Sequence, residues 1–275
     1  MSSFTRRVPL VLGAVLVIGL VLTALVSLVW TPYDPTAVGL APRLLPPGWP
    51  HLLGTDQMGI DVLSRLMAGS RICLLVGVVS VSIAALIGVP LGLVAGMTRG
   101  RIGRAIVRAC DILYAFPALL LAILLAAAVG GSTLTGMVAI GVSTIPVFTR
   151  ITRAGCLQVM GEDYILASRS TGTSWPTIAR RHVWPNVAPL VGVQASVSFA
   201  MAILAEAALS YLGLATSITT PSWGRMLYEA QSKQLFSHPE QVIWPGLAIA
   251  SAVLGFNLLG DGLRDLLDPR LKEVQ

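Results

Sequence analysis

Residues 162–186 read EDYILASRSTGTSWPTIARRHVWPN, a polar, cation-rich island set between two long apolar runs. Its internal pattern predicts two short helices. Glu162 and Asp163 stand where acidic side chains favour a helix N-terminus, and Tyr164, Ala167, Ser168 and Thr171 follow at helical spacing. Gly172 breaks the pattern. Ser174 then offers a cap for a second helix, with Pro176 in its first turn and Trp175, Ile178, Ala179 and Val183 as its apolar stripe. Arg180 and Arg181 fall off that stripe, and Pro185 is expected to close the unit before the next apolar run. One apolar stripe beside two arginines has the character of a docking element. By spacing alone the same pattern also suits an amphipathic loop resting on lipid headgroups.

The surroundings of the island are those of a membrane protein. Of 275 residues, 55% are hydrophobic and only 12% charged, whereas a soluble domain carries about a quarter charged residues. The formal net charge of +6 does not point to nucleic acid, because the cations are spread between apolar runs instead of clustering on one face. Cys73, Cys110 and Cys156 lie in or beside those runs without paired spacing or accompanying histidines, which implies neither a disulfide framework nor a metal site. His51 and His238 read as polar loop residues.

Uncharged runs long enough for a bilayer core of ~30 Å occur at Val8–Trp30, Ile72–Met97, Val187–Ala205 and Val242–Gly260. The first follows Arg6 and Arg7 but is too long for a signal-peptide core and lacks a small-residue cleavage site, so it reads as a retained span. A further run, Ile112–Thr149, would make a helix of roughly 57 Å, and the cluster Gly130-Gly131-Ser132-Thr133 is expected to fold it into a hairpin. The expectation is therefore an all-α integral membrane protein of six transmembrane helices. With both termini inside, all but Arg43, Arg65, Arg71, Arg225 and Lys233 of the 19 Lys and Arg residues face the cytoplasm. That bias fixes an N-in/C-in orientation and puts the island on the cytoplasmic side. Arg150 and Arg153 then sit at the inner end of the fourth span, where long side chains snorkel.

Small residues in the second span (Gly77, Gly88, Gly92, Gly96) and the third (Ala122, Ala126, Ala127, Ala128) allow close helix approach. Pro90, Pro117, Pro146 and Pro245 are expected to bend their helices. The outer segments, 31–70 and 215–241, each have room for a short interfacial helix or a contact with an outside partner. Glu206 falls nineteen residues beyond Val187, so ~28 Å of helix carries it to the outer boundary, which favours an interfacial structural role over ion coupling. Asp111 opens the third span three residues after Arg108, as in a local helix pair or a dipole interaction. The ending GDGLRDLLDPR, with Asp261, Arg264, Asp265, Asp268 and Arg270, reads as a salt-bridged helix end. No G-x-x-x-x-G-K-[ST], G-x-S-x-G, H-E-x-x-H or C-x-x-C is present. If transport here uses ATP, another polypeptide must supply the phosphate-binding loop.

The island resembles the cytoplasmic loop of binding-protein-dependent ABC importer permeases, whose signature is Glu-Ala-Ala, a glycine and a Leu-Pro at fixed spacing. Leu166-Ala167-Ser168 occupies the first element, Gly172 the second and Trp184-Pro185 the third. HLLGTDQMGIDVLSR (His51–Arg65), DILYAFPALLLAI (Asp111–Ile123), EAALSYLGL (Glu206–Leu214), PSWGRML (Pro221–Leu227) and WPGLAI with NLLGDGLRDLLDPR resemble the C-type permease subunit of dipeptide, oligopeptide and nickel importers. Together these matches cover most of the chain after Trp30.

The resemblance implies the type I importer permease fold and a subunit for short peptides, nickel or another small solute. It also implies a homologous second permease as heterodimer partner, two ATPase subunits that bind ATP and Mg, an extracytoplasmic solute-binding protein and a lipid bilayer around the spans. No cofactor and no catalytic residue is expected in this chain. Asp163, Ala167, Gly172, His182, Pro185 and Asn186 carry over as coupling-loop positions, with Glu206 and Asp111 as pathway or structural candidates. The implied division is 1–68 (first helix and extracytoplasmic segment), 69–260 (permease domain, with the coupling loop at 160–186) and 261–275 (cytoplasmic tail). Leu166 stands where the signature has glutamate, and Ile60 where an arginine is common. An ion-coupled secondary transporter, the competing class, needs an ionisable midplane site, and Glu206 and Asp111 both map to span ends.

Overall fold

The computed structural model describes residues 3–39, 41–98, 100–214, 220–231 and 237–267. Arg99, Lys233, Asp268, Arg270 and Lys272 lie outside the described residues, as does the tail beyond Leu267. The regular elements are helices: α1 (Ser3–Val29), α2 (Val62–Met97), α3 (Arg101–Ala115), α4 (Ala118–Val129), α5 (Thr133–Met160), α6 (Asp163–Ser170), α7 (Trp175–Ile178), a π-turn (Ala179–Val183), α8 (Trp184–Tyr211), α9 (Trp223–Ala230) and α10 (Glu240–Leu267). Among the described residues five stretches are long and apolar enough to cross a membrane: Val8–Val29, Val62–Met97, Thr133–Met160, Trp175–Tyr211 and Glu240–Leu266. Helices α3 and α4, bent by 81°, make a sixth when counted as one broken span. Six crossings return both ends to the same side.

Two spans depart from the sequence reading. The third is not one straight helix from Asp111. Pro117 has no amide hydrogen, and Phe116 before it takes an extended backbone, so the helix stops at Ala115 and restarts at Ala118. Asp111 thus lies well inside α3. The second span begins at Val62 instead of Ile72, because Asp61 caps it by accepting the Ser64 amide at 2.8 Å. The cations that interrupt the apolar pattern there are absorbed: Arg65 is buried, and the Arg71 Nε donates to Ser27 Oγ at 2.6 Å. The hairpin falls where the glycines predicted it, with Ser132 capping α5 through the Thr135 amide.

The centre of the bundle is the seam between α2 and α5. A Cβ on Gly88, Gly92 or Gly96 would meet Phe148, Thr152 or Cys156 of α5, respectively, so the seam closes backbone to side chain without intervening atoms. Gly77 receives the Phe199 ring of α8, and that ring stacks on Phe256 of α10 with centroids 4.0 Å apart. The first span seals the other flank, where Gly13 faces Leu259, Gly255 faces Leu16 and Gly262 faces Leu10. In α4 only Ala122 is buried; Ala127 and Ala128 face outward, and the Ala126 side chain lies outside the described residues.

The outer segment is tied down by polar contacts. His51, expected as a loop residue, is buried, holds Asp61 through Nδ1 at 3.0 Å and packs on Tyr33. Arg65 donates to Asp56 and, at 2.7 Å, to Glu229 of α9. The Trp223 indole donates to the Leu66 carbonyl at 2.9 Å, and Gln241 to the Thr55 carbonyl at 2.9 Å. Thr36 donates its hydroxyl and then its amide to Asp34, which holds that carboxyl below the usual carboxylate range. The extracytoplasmic segment is therefore a packed cap over α2, α9 and α10.

Candidate functional site

The island folds as two short helices and a π-turn packed on the bundle. Helix α6 opens at Asp163 and closes in a Schellman turn: the Thr173 amide donates to Ser168 O at 3.2 Å and the Gly172 amide to Arg169 O at 3.0 Å. Gly172 takes φ +80° to make that turn, and a Cβ there would meet nothing within 4 Å. Its requirement is backbone conformation, not space.

The face that anchors α6 is not the one the spacing indicated. Tyr164 and Ala167 are exposed, whereas Ile165 is fully buried with Ile178 and Val183 against Phe148, Cys156, Val159 and Val187. Counting from Tyr164 missed Ile165; its signal was that it is one of only three β-branched aliphatics in the island. Two of the predicted stripe residues, Ile178 and Val183, do turn inward, but Trp175 stays outside beneath the Arg169 guanidinium, 4.8 Å from its ring centroid.

A second correction concerns Pro185, which does not close the unit. The helix that starts at Trp175 continues through the π-turn into α8. The Trp184 amide reaches back five residues to Ala179 O, and this one-residue slip accommodates a proline that can neither donate nor let the preceding turn close normally. The Asn186 side-chain amide then donates back to the His182 carbonyl at 2.7 Å. Ser174 sits at the N-cap, but its hydroxyl meets Thr177 Oγ1 at 2.9 Å instead of a backbone amide.

Asp163, Ala167, Gly172, His182, Pro185 and Asn186 are thus carried on one projection. The Tyr164 and His182 rings, 5.8 Å between centroids, bring α6 against the π-turn. Tyr164, Leu166, Trp175 and Trp184 show 39–53% of their surface, with exposed Arg180 and Arg181 alongside. The unit thus shows exposed apolar side chains and exposed arginines together, held on a buried aliphatic base of Ile165, Ile178 and Val183. Such a surface can seat a partner without reorganising.

The model of the family described as "Binding-protein-dependent transport system inner membrane component" matches residues 88–273. The chain belongs to this family. A di/tripeptide transport system permease protein of Pseudomonas aeruginosa (strain UCBPP-PA14) is 41% identical over 99% of this chain and 92% of its own. A glutathione transport system permease protein of Pectobacterium atrosepticum is 43% identical over 82% of this chain and 75% of its own. A solved structure titled as inward-facing conformations of the MetNI methionine ABC transporter superposes with a TM-score of 0.62, covering 74% of this chain and 96% of that one. At 18% identity it speaks for the fold alone.

Within the permease, Glu206 and Asp111 do not join the projection. Glu206 is twenty residues past Asn186 on the same helix, ~30 Å away. It is buried and accepts from the Ser210 and Ser222 hydroxyls at 2.6 and 2.9 Å. Asp111 pairs with Arg150 of α5 at 2.8 Å, not with Arg108 on its own helix, and the same guanidinium lies 4.2 Å over the Tyr114 ring. Sequence reasoning missed the Arg65, Asp56 and Glu229 cluster, because Glu229 meets Arg65 across 164 residues of chain.

Proposed function

We propose that this permease forms half of the membrane pathway of an ATP-driven importer for short peptides. Its second half is a homologous permease, two ATPase subunits with ATP and Mg dock on the α6 to π-turn projection, and a solute-binding protein delivers the peptide from outside. The observation that carries the docking step is the continuity of the projection with α8. Because Trp175 to Tyr211 is one helix, a force applied at the cytoplasmic loop is transmitted along a rod to Glu206 and α9 at the outer end. ATP-driven motion of a docked subunit can then change the outer end without an independent hinge. The peptide substrate rests on the relatives named for di- and tripeptides and for glutathione.

The test is purification of the permease from native membranes, identification of the subunits that accompany it, and assay of ATP hydrolysis with and without candidate peptides. Co-purification of P-loop ATPases and peptide-stimulated hydrolysis are expected. Isolation without any ATPase sinks the reading, and stimulation only by a non-peptide solute overturns the substrate.

A further inference from the structure

We propose that α3 is a lipid-reading helix: its arginine face binds the headgroups of anionic phospholipids in the cytoplasmic leaflet. At 100° per residue, Arg101, Arg104 and Arg108 fall within an arc of about 60°, and all three are exposed. Among the described residues no carboxylate pairs with any of them. The one acidic residue of the helix, Asp111, is engaged by Arg150, and the Arg104 Nε reaches only the Gly100 carbonyl at 3.4 Å. The opposite face is fixed, since Gly103 and Cys110 are buried and a Cβ on Gly103 would meet the Thr98 and Ala95 carbonyls. The arginine face is thus held outward by the fold.

Two observations select lipid over protein as the occupant. Ile112 and Ile102, about 20° and 100° from Arg101 around the helix, show 66% and 63% of their surface, so the cationic face carries an apolar edge. The 81° bend at Phe116-Pro117 also prevents α3 and α4 from both following the bilayer normal. Helix α4, ALLLAILLAAAV, has no polar side chain and demands hydrocarbon, but its 12 residues rise only ~18 Å. The last turns of α3 therefore complete the broken span, and its first turns, which carry the arginines, are left to the interface, cations towards phosphate and Ile112 towards acyl chains. By the charge bias of the loops, that interface is the cytoplasmic one. Guanidinium forks match phosphate oxygens in pairs, and each such cation near an anionic surface strengthens binding about fivefold.

The experiment uses the transporter purified with its accompanying subunits, titrated in detergent with phosphatidylglycerol or phosphatidylcholine, with retained lipids counted by native mass spectrometry. Wild type is expected to retain phosphatidylglycerol preferentially and to lose that preference as salt is raised. The triple variant R101Q/R104Q/R108Q should lose it at low salt, and R101K/R104K/R108K should keep most of it. A photocrosslinker at exposed Ala105 should capture lipid. Equal phosphatidylglycerol retention by the glutamine variant, a preference insensitive to salt, or capture of a polypeptide at Ala105 overturns the proposal.

Discussion

Ser222 donates its hydroxyl to Glu206 at 2.9 Å, and the same oxygen receives the Arg225 amide that opens α9. One serine therefore joins the outer end of α8 to the outer helix. Gly224 reinforces the joint, because its missing Cβ lets α9 lie directly on the Ala207 backbone. The carboxylate is a clasp between two elements that the proposed transport cycle must move together.

If Glu206 is a clasp, an amide that keeps the acceptor should serve nearly as well. Glu206→Gln is expected to retain most uptake, while Glu206→Ala leaves the Ser210 and Ser222 hydroxyls buried without their acceptor and loses about 1–3 kcal/mol. Thermal unfolding of the purified transporter and uptake by membrane vesicles measure the two effects. Loss of uptake in the glutamine variant, with stability intact, would instead mark an ion-coupling carboxylate.

At Gly172 the order of tolerance should follow backbone conformation, since the side-chain space is open. Asparagine accepts the left-handed region best, alanine at a cost of about 1–2 kcal/mol, and β-branched valine worst. Gly172→Val is expected to insert normally, hydrolyse ATP with its partners and transport poorly. Full uptake by that variant contradicts the coupling role.

Neighbouring residues of α6 should separate folding from docking. Ile165→Ala empties a fully buried site and should destabilise the loop by about 2–4 kcal/mol. Tyr164→Ala and Leu166→Ala, on the exposed side, should stay within about 0.5 kcal/mol of wild type yet weaken recovery of ATPase subunits in pull-down. Equal effects on stability at Ile165 and Leu166 would refute the assignment of faces.

Removing Arg65 takes the cation from Asp56 Oδ2 and Glu229 Oε2 in a buried site, while Arg225 still holds Glu229 Oε1 at 3.0 Å and the Met58 and Ile60 amides still donate to Asp56 Oδ1. Arg65→Ala should cost about 3–5 kcal/mol, and the triple replacement of Arg65, Asp56 and Glu229 by apolar or amide residues should recover much of it. Proteolysis of the outer segment in intact spheroplasts reads the loosening directly. An Arg65→Ala protein as resistant as wild type argues against the cluster as the lock between α2 and α9.

What the sequence showed and what it hid divide along range. The apolar runs, the hairpin at Gly130 to Thr133 and the break at Gly172 were legible because each is decided by a few adjacent residues. The early start of α2 was hidden because Arg65 and Arg71 look like loop charges until Asp56, Glu229 and Ser27 are seen beside them. The inward face of α6 was hidden for a related reason: eight residues contain too few turns for periodicity to choose between Tyr164 and Ile165. Pro185 misled because a proline normally marks an end, whereas the π-turn moves the conflict one residue along and lets the helix run on.

By itself the sequence determined that this is a multi-span helical membrane protein, with its cations biased to one side, and placed a polar loop on that side. Hydrocarbon leaves no alternative for long apolar runs, and the charge bias acts on each loop separately. Only the tertiary structure decided that the loop is the end of the fifth span, that Glu206 is a clasp on α9, and that Asp111 answers Arg150. The first rests on the π-turn bond from the Trp184 amide to Ala179 O, which carries the helix past Pro185, and the other two on contacts between groups 16 and 39 residues apart, which form only once the helices have met.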